Sequence, residues 1–243
     1  MPKIGMVQTV NYSTNEIGIS KVANILQKLG KKETEIVCLP EQWLKNNIIS
    51  DFDSEFAQFK KIAKDYGMTI IPGAFYTKNV THIISPVIGP KGDIIGHQKK
   101  IHPFDYEIDT VKPGKEAKIF KTACKFGIII CYDMVFPKVA NALAKKGAQI
   151  LLSPSRIVRR GIEPWHMYVQ VRALENRIPI LAANVENRRF GGQSIMIDLS
   201  EKNKVVNTKV TKLKGENQIV KDFNLDKLVK SRKKRFSDSN NFK

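Results

Sequence analysis

A chain of 243 residues, 42% apolar and 26% charged, reads as an ordinary soluble globular protein able to bury one substantial core. No apolar run approaches bilayer-spanning length, Met1 to Val7 enters a strand-like pattern with no secretory signal, and three cysteines without C-x-x-C spacing exclude a disulfide framework. A cytoplasmic, reducing home and no membrane partner are expected. The net charge of +18 raises nucleic acid, but the one dense basic cluster (Lys230, Arg232, Lys233, Lys234, Arg235) has no interleaved aromatics and no recognition motif. That balance predicts a solubilising surface with a basic, partly disordered tail and no specific nucleic-acid partner.

In chain order, residues 3–9 read as a first strand. A helix follows over about 14–29, with Ser13 and Glu16 at capping-box spacing and Ile19, Val22, Leu26 and Leu29 as its apolar stripe. Ile36 to Leu39 is a short buried strand stopped by Pro40. A second helix over about 52–66 carries Phe52, Phe56, Phe59 and Ile62 on one face, with Gly67 as its stop. Strands at about 68–76, 80–88 and 93–99 come next. Phe126 to Ile130 is nearly continuous in apolar residues, as in a strand covered on both faces. A helix over about 137–146 starts at Pro137 and stops at Gly147. Strand 149–153, helix 163–177 and strands 179–184 and 193–199 continue the alternation. A hairpin-like pair near 203–208 and 217–223 precedes a final basic helix and tail from about 224. One α/β domain over residues 1–243, with one mixed sheet or two, is the expected organisation.

Three of these strands end in residues that can do chemistry, at the sheet edge where α/β active sites tend to lie. Glu41 follows the second strand, Lys100 follows the strand ending at Lys99, and Cys131 follows Phe126–Ile130. A thiol at a strand-to-helix turn can have its pKa lowered by nearby amides, and a cationic lysine would lower it further. Each residue alone is bland: a core cysteine, a loop acid, one lysine among many. Together they supply a nucleophile, a base that can return its proton to a leaving amine, and a cation for an oxyanion. Cys38 and Cys124 lack such a neighbourhood and read as core. His97, His102 and His166 have no metal-ligand spacing, and this chemistry calls for no cofactor.

The local motifs resemble those of the nitrilase superfamily. They are Leu39-Pro40-Glu41, Gln98-Lys99-Lys100-Ile101-His102-Pro103-Phe104, and Cys131-Tyr132-Asp133-Met134-Val135-Phe136-Pro137. Arg172-Ala173-Leu174-Glu175-Asn176 and Ala183-Asn184 are also similar to it. The resemblance covers essentially the whole chain. It implies a four-layer α-β-β-α sandwich and hydrolysis of a small linear amide by a Glu41–Lys100–Cys131 triad, with the Tyr132 backbone N–H helping to hold the oxyanion. It also implies a second glutamate, best matched by Glu107, with Asp105 and Asp109 as alternatives. A homodimer or higher oligomer through the helices at about 137–146 and 163–177 is implied as well.

Two departures bear on specificity. Val135 and Lys138 stand where many members carry an Arg and a Glu, so apolar packing is expected to hold the elbow. Ser153-Pro154-Ser155-Arg156 lacks a customary Trp, and Arg156 reads either as part of a basic loop or as a contact to an acidic substrate. A nitrile hydrolase, an N-acyltransferase and a non-catalytic basic interaction protein remain as alternatives.

Overall fold

Residues 1–239 are described by a computed structural model. The chain runs from β1 (Lys3–Val10) through α1 (Asn15–Gly30), β2 (Ile36–Cys38) and β3 (Ile48–Ile49) into two short helices, α2 (Phe52–Glu55) and α3 (Ala57–Tyr66). Next come β4 (Thr69–Ile71), β5 (Phe75–Thr77), β6 (Ile83–Ile88) and β7 (Ile94–Lys99). The second half holds β8 (Ile119–Lys121), β9 (Lys125–Ile128), α4 (Pro137–Lys145), β10 (Ile150–Pro154), α5 (Ile162–Asn176) and β11 (Ile180–Ala183). It closes with β12 (Val185–Glu186), β13 (Ile195–Lys202), β14 (Val205–Lys212), β15 (Asn217–Asp222) and α6 (Val229–Ser239).

Among the described residues these strands form two sheets. The first runs β12-β1-β2-β4-β6-β5-β3, with β15 also on β1 and β7 on β6; the second runs β14-β13-β11-β10-β9-β8. Alternation along each strand assigns its two faces. Ile4 and Met6 of β1, Ile36 and Cys38 of β2, Phe126 and Ile128 of β9, and Ile150 and Leu152 of β10 share one core between the sheets. The intervening residues face the helices. Val7 and Val37 meet Val22 and Leu26 of α1 and Phe59 of α3, while Leu151 and Ile180 meet Leu143 of α4 and Val169 and Ala173 of α5. The layers are therefore α, β, β, α. Burial on both faces explains the unbroken apolar runs of β2 and β9–β10, each fully buried aliphatic side chain contributing about 1.5–3 kcal/mol.

Four details differ from the expectations. The first helix is capped by Thr14, whose Oγ1 accepts the Ile17 N–H at 3.3 Å, and not by Ser13. The helix expected over 52–66 breaks at Phe56, which leaves helical dihedrals while its fully buried ring packs 5.4 Å from both Phe59 and Phe75. Tertiary packing outweighs local helix periodicity there. The segments near 203–208 and 217–223 are not a pair. β14 forms a hairpin with β13 in the second sheet, whereas β15 crosses to the first sheet and runs antiparallel to β1.

The start of the basic tail is also anchored. Arg232 is buried and donates to the carbonyls of Arg177 and Ala148, and Lys221 and Lys227 both pair with Asp198 at 2.6 Å. The tail's last residues, 240–243, lie outside the described residues. No helix among the described residues is long and apolar enough to cross a membrane.

Candidate active site

The three strand ends belong to two sheets, and facing the sheets brings them together. Glu41 follows β2 and is pinned on both sides: it bridges Ala74, and its N–H donates to the Ser155 carbonyl beyond β10 at 3.2 Å. Gly73 permits this approach. At its φ of 121° a Cβ would lie 2.2 Å from the Pro40 carbonyl oxygen. Lys100 continues β7, its N–H bonded to the Ile83 carbonyl at 2.9 Å. Glu107 sits at the end of a 3-10 turn (Asp105–Glu107), where its Oε2 accepts the Phe104 N–H at 2.7 Å. Asp105 and Asp109, on either side, are exposed.

The Lys100 ammonium is shared. Nζ lies 3.0 Å from Glu41 Oε1 and 2.8 Å from Glu107 Oε2, and none of the three residues is more than 2% exposed. Burial alone would push the ammonium toward neutrality, but the charges of Glu41 and Glu107 outweigh it and hold the lysine pKa above its ordinary value. Glu107 goes the other way for a carboxyl. Burial and the nearby Glu41 charge raise it, against the pull of Lys100.

Cys131 opens a 3-10 turn (Cys131–Val135) directly after β9. Its φ is 45°, a left-handed conformation that an L side chain rarely adopts. Gln42, immediately after Glu41, is in the same region at 47°. Strain at Cys131 and beside Glu41 is what a site held in place by its surroundings displays. The Tyr132 N–H lies in the first turn, where a helix offers no intrahelical acceptor, so it is available to an oxyanion. Lys100 was expected to lower the thiol pKa, but the structure reverses that direction. Burial first and the Glu41 carboxylate second raise it well above the ordinary cysteine value, against Lys100 and the Arg156 backbone N–H. At rest Cys131 is a neutral thiol, and the Glu41 carboxylate accepts a hydrogen bond from it. Cys38 is fully buried in β2, and burial pushes Cys124 up to about 12.

The elbow is held by polar contacts, not by apolar packing alone. Asp133 accepts the N–H groups of Ile101 at 3.1 Å and His102 at 2.7 Å, and the His102 ring Nδ1 at 2.9 Å, tying the cysteine turn to the lysine loop. The His102 ring stacks on Phe136 with centroids 3.7 Å apart. From α5, Arg172 donates through Nε to the Met134 carbonyl at 3.1 Å and through Nη2 to that of Val135 at 2.7 Å, while Glu175 Oε1 holds Nη1 at 3.1 Å. Arg172→Ala would leave two carbonyls of the turn without donors, and we expect a loss of about 2–4 kcal/mol in urea unfolding together with reduced turnover. A loss below about 0.5 kcal/mol, the range of a neutral surface change, would show that the elbow supports itself.

Outside the buried cluster lies a cleft of about 480 Å³. Tyr76 and Tyr106 line it, and the charges of Glu107 and Glu41 reach both hydroxyls. Burial and those carboxylates raise both phenols, Tyr106 to about 12, so both are neutral donors at physiological pH. Arg156 reaches the same cleft. Its Nη1 donates to Gln42 Oε1 at 2.6 Å, and its guanidinium lies over the Phe190 ring at 4.3 Å. Asp133, Tyr76 and Tyr106 were not anticipated as site residues. For Asp133 the available signal was its place inside the cysteine motif, two positions after Cys131.

A strained cysteine beside a glutamate and a shared lysine, between two facing sheets, is the arrangement of a nitrilase-type hydrolase. The family model for carbon-nitrogen hydrolases matches residues 3–209, and the chain belongs to that family as an enzyme of the amidase/nitrilase type. Among curated relatives, an omega-amidase of Xenopus laevis is 26% identical over 204 residues, covering 75% of this chain and 74% of that protein. A deaminated glutathione amidase of Dictyostelium discoideum is 27% identical over 237 residues, covering 82% of this chain and 80% of that one. The fold matches a Saccharomyces cerevisiae member of branch 10 of the nitrilase superfamily with a TM-score of 0.81, at 23% identity over 96% of this chain and 93% of the other. It also matches an amidase from Nesterenkonia sp. AN1 with a TM-score of 0.78, at 17% identity over 98% and 100%; that protein was captured with acrylamide added at its active-site cysteine. Hydrolysis of carbon–nitrogen bonds is thus the chemistry of this family, and the Xenopus, Dictyostelium and Nesterenkonia relatives are named for amides.

Proposed function

We propose that the chain hydrolyses a small linear amide to a carboxylic acid and ammonia through a thioester on Cys131. The observation that carries this reading is the single buried ammonium of Lys100 shared by Glu41 and Glu107 beside a strained, neutral thiol. Glu41 takes the proton as sulfur adds to the amide carbon, while Lys100 and the Tyr132 N–H stabilise the oxyanion. Collapse breaks the C–N bond, and Glu41 returns the proton to the departing ammonia. Water then adds to the thioester, giving a proton to Glu41; collapse releases the acid, and the sulfur recovers its proton. Glu107 touches Lys100 and serves to position it.

The reading is tested by offering the protein short amides, their nitrile counterparts and added amines. Equimolar ammonia and carboxylic acid from the amides, with an acyl group trapped on Cys131, are expected. Nitrile turnover in preference to amide, transfer to the amine in place of water, or an adduct on another cysteine would each overturn it.

We also propose a homodimer contacting through α5. Met167, Tyr168 and Val171 form an exposed apolar strip on that helix, which supports the reading. Val139, Ala140, Leu143 and Ala144 of α4 are covered by their own sheet and lend it nothing. Light scattering should give twice the 27.5 kDa chain mass. A monomer mass with full activity would rule the dimer out.

A further inference from the structure

We propose that the cleft outside the triad is an anion-binding subsite anchored by Arg156, so that the amide accepted here carries a carboxylate on its acyl chain. The inference rests on the hydrolase reading for the word substrate, but the subsite itself is argued from the cleft.

The charges of the cleft are of one sign. Lys45, Arg156 and Arg189 line it, and no aspartate or glutamate does. Lys45 and Arg189 are exposed and attract an anion over a distance that salt screens. Arg156 differs from them in three ways. It is half-buried and makes no ion pair among the described residues, whereas Lys100 and Arg172 are paired with carboxylates and the buried Arg232 with backbone carbonyls. Its guanidinium is already oriented, held at Nη1 by Gln42 and stacked on Phe190. Its Nε is shielded from solvent and has no acceptor. A planar, oriented cation with unused donors is suited to a carboxylate, which it can bind in two parallel hydrogen bonds with little ordering cost.

Position ties this cation to the reaction. Arg156 comes just after β10, and its backbone N–H points at the Cys131 sulfur while its side chain enters the cleft. An acyl chain bonded to that sulfur would therefore run alongside Arg156, with its far end in the basic cleft. The neutral hydroxyls of Tyr76 and Tyr106 stand between the two regions as donors. By contrast Arg159, a few residues on, is exposed and bonded to the carbonyls of Arg188 and Asn187, as a loop arginine is.

Binding can be measured without turnover in Cys131→Ala protein. By calorimetry, succinamate, which has one amide and one carboxylate, should bind roughly 10–100-fold more tightly than the neutral diamide succinamide, the range expected of charge-assisted hydrogen bonds. The preference should shrink as salt is raised. Adding Arg156→Gln should abolish most of it, and Arg156→Lys, which keeps the charge but loses the planar fork, should leave an intermediate value. Thermal melts of each variant establish that the fold is retained, and the lysine variant keeps the test open if the glutamine variant unfolds. Equal binding of the two ligands, no measurable binding of either, or an undiminished preference after Arg156→Gln would overturn the subsite. Ammonia release by the wild-type protein is scored separately. A binding preference without hydrolysis would remove the reaction and leave the subsite, and hydrolysis without a preference would do the reverse.

Discussion

Cys131→Ala is expected to lower amide turnover by on the order of 10⁶-fold, and Glu41→Gln by roughly 10²–10⁴-fold, with the second variant carrying more thiolate than the wild type. The combination follows from the resting state. Burial and the Glu41 carboxylate hold the Cys131 thiol above its ordinary pKa, so sulfur cannot attack until its proton is taken. Glutamine retains the shape of Glu41 and accepts no proton, so the attack loses its base. The same substitution deletes the negative charge that opposes thiolate formation while leaving the Lys100 ammonium that favours it. The thiol pKa must therefore fall. Ultraviolet thiolate absorbance, taken as the difference from the Cys131→Ala protein, should rise at lower pH in Glu41→Gln than in the wild type, even though turnover is lost. If the thiolate appears at an unchanged or higher pH, Glu41 does not act on this sulfur and the mechanism loses its base.

That reversal marks where sequence reasoning stops. The strands β1, β2, β9, β10 and β11 were legible because both of their faces are buried, which makes them short unbroken apolar runs. β14 and β15 were not assigned correctly, because most of their residues are partly or fully exposed and their partners lie in different sheets. Nothing local says that one turns back on β13 while the other crosses to β1. The site divides in the same way. Glu41, Lys100 and Cys131 sit in motifs that strand ends present, whereas Asp133 and Arg172 act across 31 to 38 residues on backbone groups that carry no side-chain pattern. The direction of the thiol pKa was misjudged because the sequence places Lys100 near Cys131 without revealing that two carboxylates share that ammonium in a largely buried site. Charge balance belongs to the folded cluster and not to any one motif.

Removing the ammonium is expected to damage both turnover and fold, and a second substitution should restore only the fold. Lys100→Met takes the cation from between Glu41 and Glu107, each 2% exposed. Breaking a buried pair by deleting one partner costs about 3–5 kcal/mol, a large share of a typical stability of about 5–15 kcal/mol. The pH dependence identifies the cause. Without Lys100 the buried Glu107 carboxyl, which burial raises, would titrate further above its unfolded value of about 4.3. A carboxyl with a raised folded pKa adds stability that is fully present below the unfolded pKa and lost as pH rises through the folded one. The deficit of Lys100→Met, compared with wild type at each pH so that the general effect of net charge largely cancels, should thus be greatest near neutrality and shrink toward about pH 4. Glu107 already leans that way in the intact site, where burial raises it against the pull of Lys100. Adding Glu107→Gln removes one of the two orphaned charges, and much of the lost stability should return. Turnover should stay roughly 10²–10³-fold down, because no ammonium remains for the oxyanion. Recovery of activity along with stability would reduce Lys100 to a counter-ion, and a deficit that does not vary with pH would mean that the carboxylates do not depend on it.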